Sequence, residues 1–264
     1  MPVVESLQGF QCRRGRTIVT DAVEIRGEIN QVHEKGMDCP AILLLSPAMT
    51  ISEWLKTFTH FLEENWATLD GAHDLHHLHR VYRMCCQLNA MEGGMGDEEV
   101  LVAACYFHDY ISLPKNHPDR HLSSEMSAKA AEELLKSRFG FPQAKIPAVC
   151  HAIHAHSFSA NIPTRSLEAS LLQDADRMEA LGALGIARLF YTGGKMGSRL
   201  FDAEDPLGKN RQLNDQEFSL DHIEVKLLKL PATMKTKAGR EMAERKADFL
   251  RLFRSELLTE IGQP

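Results

Sequence analysis

The sequence has no C-x-x-C pair, although it carries six cysteines: Cys12, Cys39, Cys85, Cys86, Cys105 and Cys150. That absence excludes the zinc-ribbon and thioredoxin patterns. Cys85, Cys86, Cys105 and Cys150 fall in apolar helical stretches and read as buried free thiols of a reducing, cytoplasmic compartment. No apolar run approaches the ~20 residues of a transmembrane helix, so no membrane partner is expected. The run AILLLSPAM (41–49) resembles a short signal core, but no basic segment sits just before it, and it is not read as a signal peptide. An excess of positive charge is also missing. Thirty Lys and Arg against 36 Asp and Glu give a net charge of −6. This argues against an extended nucleic-acid surface and leaves room for a local basic pocket. Internal repeats and low-complexity tracts are absent.

What the chain does have is histidine, 13 of them in 264 residues, and they cluster. The length suits one large domain or two small ones with ample core. Residues 1–48 read differently from the rest: alternation around 17–25 is strand-like, but no partner strand of similar quality lies nearby, and an isolated strand pair is marginal in water. This segment is expected to be an extension, disordered or loosely packed, ahead of a domain spanning 49–264, for which Met49 would be a natural start.

From Met49 the pattern is helical. TISEWLKTFTHFLEENW (50–66) opens with a Thr or Ser cap followed by Glu53. Asp74 and Asp97 are placed to cap helices over 74–91 and 97–110. Further helices are expected over 123–140, 142–158 and 164–194, the last a single long one ended by two glycines. After a loop at 193–216, helices resume near 219–230 and 239–260. The expected fold class is all-α, in one domain.

Three segments carry chemistry. AHDLHHLHRV (72–81) places His73 and His77 four residues apart on one helix face, which Val81, Met84 and Leu88 continue toward the core. His76 and His79 lie off that stripe and read as solvated. His73 sits at a helix start and reads as part of a cap, which leaves His77. VLVAACYF then delivers His108 and Asp109 at the end of an apolar helix. Burying both without partners costs several kcal/mol (roughly 2–7 for a neutral polar group). A divalent cation satisfies both; so does emergence of the helix end into solvent, where a His interacts well with the dipole. SLLQDADRMEALGALG raises the same question for Asp176, which needs either an arginine partner or a metal. Asp174 is about 200° round the helix from Asp176, so the two do not easily face one ion. Asp176 is taken as the ligand and Asp174 as a supporting or capping group.

His77-x-x-Arg80-Val81, then His108-Asp109, then Asp174-Ala-Asp176-Arg177, in that order, resembles the HD-domain phosphohydrolase superfamily. The longer strings AACYFHDYISLPKNHPDR, AVCHAIHAHSFSA and LLQDADRMEALGALGIAR resemble its YedJ-like branch. The resemblance covers roughly Met49 to the C-terminus and leaves the first 48 residues without a counterpart. It implies a helical bundle with one divalent metal held between helices by His77, His108, Asp109 and Asp176. Mixed nitrogen and oxygen ligation suits Mn²⁺, with Mg²⁺, Ni²⁺, Fe²⁺ or Zn²⁺ as alternatives.

The reaction implied is hydrolysis of a phosphoanhydride or phosphoester by a metal-activated water, with Asp109 in the catalytic group. The resemblance favours a small-molecule nucleotide as substrate, a nucleoside triphosphate cleaved to monophosphate and pyrophosphate. Lys115 and Arg120, in PKNHPDR, are expected to meet the phosphate oxygens, with His117 in the same loop. His156 is the candidate proton donor or phosphate contact, and His151 a second substrate contact. Arg80 is expected to pair with a carboxylate of the metal shell, with a substrate contact as the alternative. The segment 195–211 reads as a lid from which Lys195 and Arg199 reach a nucleotide. Competing readings are a monophosphatase or phosphodiesterase of the same fold, a non-catalytic metal-stabilised nucleotide- or protein-binding module, and a di-iron oxygenase.

Overall fold

A computed structural model describes residues 49–66, 74–113, 117–157 and 160–263. The expected extension over 1–48, together with Lys115 and His73, lies outside the described residues. Among the described residues the secondary structure is helical: α1 Ile51–Asn65, α2 Leu75–Met91, α3 Glu98–Phe107, α4 Ser123–Ser137, α5 Ile146–His156, α6 Leu167–Met178, α7 Gly182–Met196, α8 Asp221–Val225 and α9 Lys237–Glu260. The one exception to helix and turn there is an isolated bridge between Arg199 and Phe218. The fold is all-α.

Local chemistry sets the helix starts. Thr50 and Glu53 form a reciprocal capping box, with the Thr50 N–H donating to Glu53 Oε2 at 2.7 Å and the Glu53 N–H to Thr50 Oγ1 at 3.3 Å. Asp74 accepts from the His77 N–H at 2.9 Å, which fixes the turn that carries His77. Asp97 caps α3 by accepting from Glu99 and Val100.

α3 is the centre of the bundle. Every residue from Val100 to Phe107 is buried, as expected for a helix apolar on all sides. α3 packs against α1, α2 and α5, and α6 packs against α2 and α5. Phe58, Phe61, Phe107 and Phe139 interlock edge to face around one end of α3. The chain therefore leaves the middle of the core at His108, and α2, α5 and α6 present their side chains to the same place.

Three features depart from the sequence reading. The single helix expected over 164–194 is two, α6 and α7, broken at Glu179–Leu181. Gly182 takes φ +70°, and a Cβ on Gly185 would sit 2.3 Å from the Ala180 carbonyl carbon and oxygen. The chain thus folds back tightly on the end of α6, which the uninterrupted apolar pattern conceals. The segment 195–211, expected as a lid, is pinned: Arg211 forms a bidentate pair with Asp221 at 2.6 and 2.8 Å, and Arg199 pairs with Glu217 and lies over the Phe218 ring. Lys195 lies over the Tyr191 ring. Finally, Cys85 and Cys105 are buried, but Cys86 is exposed and Cys150 half-buried. Cys86 is about 100° round α2 from Cys85 and falls on the outer face.

Candidate metal centre

α2 supplies His77, the end of α3 supplies His108 and Asp109, and α6 supplies Asp176. The structure brings these four together. His77 Nε2 lies 3.3 Å from His108 Nε2, 3.5 Å from Asp176 Oδ1 and 3.8 Å from Asp109 Oδ2. His108 Nε2 lies 3.7 Å from Asp109 Oδ2 and 3.9 Å from Asp176 Oδ1. Both imidazoles are fully buried, whereas the Asp109 and Asp176 side chains are 20% and 28% exposed. The centre is thus closed on its histidine side and open to solvent on its carboxylate side.

Proton bookkeeping shows that this donor set fits a cation. The carbonyl of Cys105 can only accept, so the 2.8 Å contact from His108 Nδ1 puts a proton on that nitrogen. His77 Nδ1 faces Glu179 Oε2 at 3.3 Å in the same way. Both Nε2 atoms face inward, toward each other and toward two carboxylates. Burial, the largest influence, holds His108 down at about 4, so the ring stays neutral. Burial works to raise Asp109 and Asp176, but the facing imidazoles outweigh it and both carboxyls stay below the usual carboxylate range. Two ionised carboxylates and two inward-facing Nε2 atoms within 3.9 Å of one another form a donor set that a divalent cation would satisfy. Donor separations of 3.3–3.9 Å suit atoms sharing one ion at about 2.0–2.2 Å.

His156 completes the wall. Its Nδ1 donates to the Ile153 carbonyl, its Nε2 stands 3.6 Å from Asp109 Oδ1, and its ring meets His108 edge to face at 4.8 Å. Burial lowers its pKa, but the hydrogen bond and charge of Asp109 and the charge of Asp176 outweigh burial and raise it.

Asp174 turns the other way. It is buried, and its oxygens accept from the Lys235 N–H, the Thr236 N–H and the Thr236 hydroxyl, each at 2.8 Å. It ties α6 to the start of α9.

The remaining sequence candidates have other partners. His151 Nε2 accepts from the Arg165 N–H at 3.0 Å, bracing the connection into α6. Arg120 donates to the Leu113 carbonyl at 2.8 Å, and His117 Nδ1 accepts from the Asp119 N–H. Lys115, in the same loop, is outside the described residues. His79, read as solvated, is half-buried and meets the Tyr106 hydroxyl at 2.6 Å. Arg80 pairs with Glu179, not with a carboxylate of the cluster, with Nε and Nη2 each 2.9 Å from Oε2. Sequence reasoning missed Glu179. The available signal was an acidic residue three positions past Asp176, on a face shared with it.

The HD domain family model matches residues 74–181, the stretch that holds all four converging residues. An uncharacterised Bacillus subtilis protein, YpgQ, is 30% identical over 196 residues, which span 72% of this chain and 85% of YpgQ. The chain belongs to the HD-domain family. Among solved structures, a Bacillus thuringiensis HD-superfamily hydrolase superposes with a TM-score of 0.61 at 28% identity, covering 81% of this chain and 97% of that one. B. subtilis YpgQ solved in complex with ADP superposes with a TM-score of 0.60 at 25% identity, covering 80% and 97%.

The buried neutral His108 of this HD domain predicts an acid-sensitive fold once metal is stripped. Between about pH 6.5, the unfolded value, and about 4, the unfolded chain takes up a proton that the folded chain does not. Stability is therefore complete above the window and lost on descending through it, by on the order of 3 kcal/mol for this ring. Asp109 and Asp176, held low, extend the loss below it. His156, held high, acts oppositely as pH rises through its folded value. Thermal melts in chelator should fall from pH 6.5 to 4.5. A melting temperature that is flat or rising toward acid contradicts a neutral His108.

Proposed function

We propose that the protein is a metal-dependent phosphohydrolase of nucleotides, cleaving nucleoside triphosphates to monophosphate and pyrophosphate, as a member of the YedJ-like branch. The observation that carries this reading is the convergence of the inward-facing Nε2 atoms of His77 and His108 on two partly exposed carboxylates. The ADP found with YpgQ supports a nucleotide as ligand. A bound divalent cation supplies Lewis acidity toward a phosphoryl oxygen and lowers the pKa of water. Mn²⁺ suits the mixed nitrogen and oxygen set, as do Mg²⁺, Ni²⁺, Fe²⁺ and Zn²⁺.

The chain's own residues are assigned the following work. His77, His108, Asp109 and Asp176 hold the cation. Asp109 also faces His156 through its other oxygen, which keeps a proton on His156 Nε2. His156 then serves as the proton donor to the leaving oxygen, the role for which a raised pKa is suited. Lys115 and Arg120, with His117, are assigned to the non-bridging phosphate oxygens. The solvent-facing carboxylate side admits both substrate and water.

The test is product analysis by chromatography. The purified protein is incubated with ribo- and deoxynucleoside mono-, di- and triphosphates, with Mn²⁺ or with EDTA. The expected result is Mn²⁺-dependent conversion of a triphosphate to monophosphate plus pyrophosphate. Release of inorganic phosphate from monophosphates moves the protein to the nucleotidase class. No turnover of any of them, with one metal still bound per chain, overturns the reading in favour of a binding module.

A further inference from the structure

Glu179 stands outside the cluster, at the C-terminal cap of α6, and is 8% exposed. Four contacts converge on one of its atoms, Oε2: His77 Nδ1 at 3.3 Å, Arg80 Nε and Nη2 at 2.9 Å each, and Arg188 Nη1 at 3.5 Å. Resting on the reading of His77 as a ligand, we propose that Glu179, clamped by Arg80 and Arg188, is the positioning residue of the centre. It keeps the proton of His77 on Nδ1 and so keeps the Nε2 lone pair aimed at the metal.

The break between α6 and α7 is what makes this arrangement possible. Glu179 and Arg188 are nine residues apart. In one continuous helix they would lie about 13.5 Å apart along the axis and on opposite faces. With the chain turned back at Gly182, Arg188 reaches the end of α6. Arg80, one helical turn past His77 on α2, closes on the same oxygen from the other side. The two histidines are thereby fixed by different means. His108 takes its tautomer from a main-chain carbonyl, that of Cys105. His77 takes its tautomer from a side chain that substitution can remove. An outer carboxylate on a ligand histidine sets the ring's orientation and raises its basicity.

The test uses the full-length protein and Mn²⁺ alone. In Glu179→Ala, Mn²⁺ affinity measured by calorimetry is expected to fall about 10- to 100-fold. Nitrogen NMR of the His77 ring in chelator should show mixed tautomers. Glu179→Gln keeps a carbonyl acceptor and should keep the single tautomer, with a smaller loss of affinity. A purely structural Glu179 would lower the melting temperature and leave tautomer and affinity alone, and that outcome overturns the proposal. Should Glu179→Ala fail to fold, Glu179→Asp decides: it keeps the charge but withdraws the oxygen from His77. Unchanged affinity and tautomer in that variant overturn the proposal equally. Wild-type protein that takes up no Mn²⁺ overturns the ligand reading itself, with the tautomer of Glu179→Ala still deciding the hold of Glu179 on His77.

Discussion

His108→Ala protein is expected to lose its metal and its turnover together. His108 Nε2 lies within 3.9 Å of His77, Asp109 and Asp176, and its ring meets that of His156 edge to face. Removing an outer partner of a metal ligand costs about 10- to 100-fold in affinity, so removing the ligand itself should exceed 100-fold. Asp109→Ala should behave alike. The bundle is held by the apolar core around α3, away from these polar groups, so the metal-free variants should fold. His76→Ala is the control: His76 is exposed, about 100° round α2 from His77, and should retain both metal and activity. Metal analysis and turnover on the same preparations check this. A metal-replete His108→Ala protein with wild-type turnover contradicts the site.

The second large effect belongs to Asp174, and it is on stability. Asp174→Ala leaves the part-buried N–H of Lys235 and the buried N–H and hydroxyl of Thr236 without their acceptor. Each stranded group costs about 1–3 kcal/mol, so a loss of several kcal/mol is expected. Burial pushes the Asp174 carboxyl up despite its three donors, so part of the destabilisation is offset by removing a carboxyl that resists ionising. Asp176→Ala should do the reverse, abolishing metal binding while leaving the melt of the metal-free protein nearly unchanged. Denaturant unfolding in chelator, with Mn²⁺ titrations on both variants, checks the pair. Equal loss of metal affinity in both would contradict the division of labour between these two aspartates.

Much of this was readable before any coordinates. The capping residues Thr50, Asp74 and Asp97 are local chemistry, and each starts its helix where the sequence puts it. The apolar stripe continuing from His77 through Val81 and Leu88 points to the core because helical period alone decides it. Asking where buried polar groups find partners singled out His77, His108, Asp109 and Asp176, and the resemblance to the HD superfamily implied that they share one site. What escaped was non-local or depended on backbone detail. The turn at Gly182 is hidden by apolar periodicity that runs unbroken through it. Glu179 looks like any surface acid until that turn brings Arg188 to it. The pairing of Arg199 with Glu217 and of Arg211 with Asp221 joins residues whose separation carries no periodic signal. His79 seemed solvated because its partner, Tyr106, is on another helix.

The central claim is that His77, His108, Asp109 and Asp176 hold one divalent cation. The most direct measurement is an anomalous difference map from crystals of the full-length protein grown with Mn²⁺. The account predicts one strong peak between the two Nε2 atoms and the two carboxylates, at bonding distance from all four side chains. A fully loaded protein with no peak there, or with its manganese seated on the surface carboxylates of residues 202–215, would contradict it.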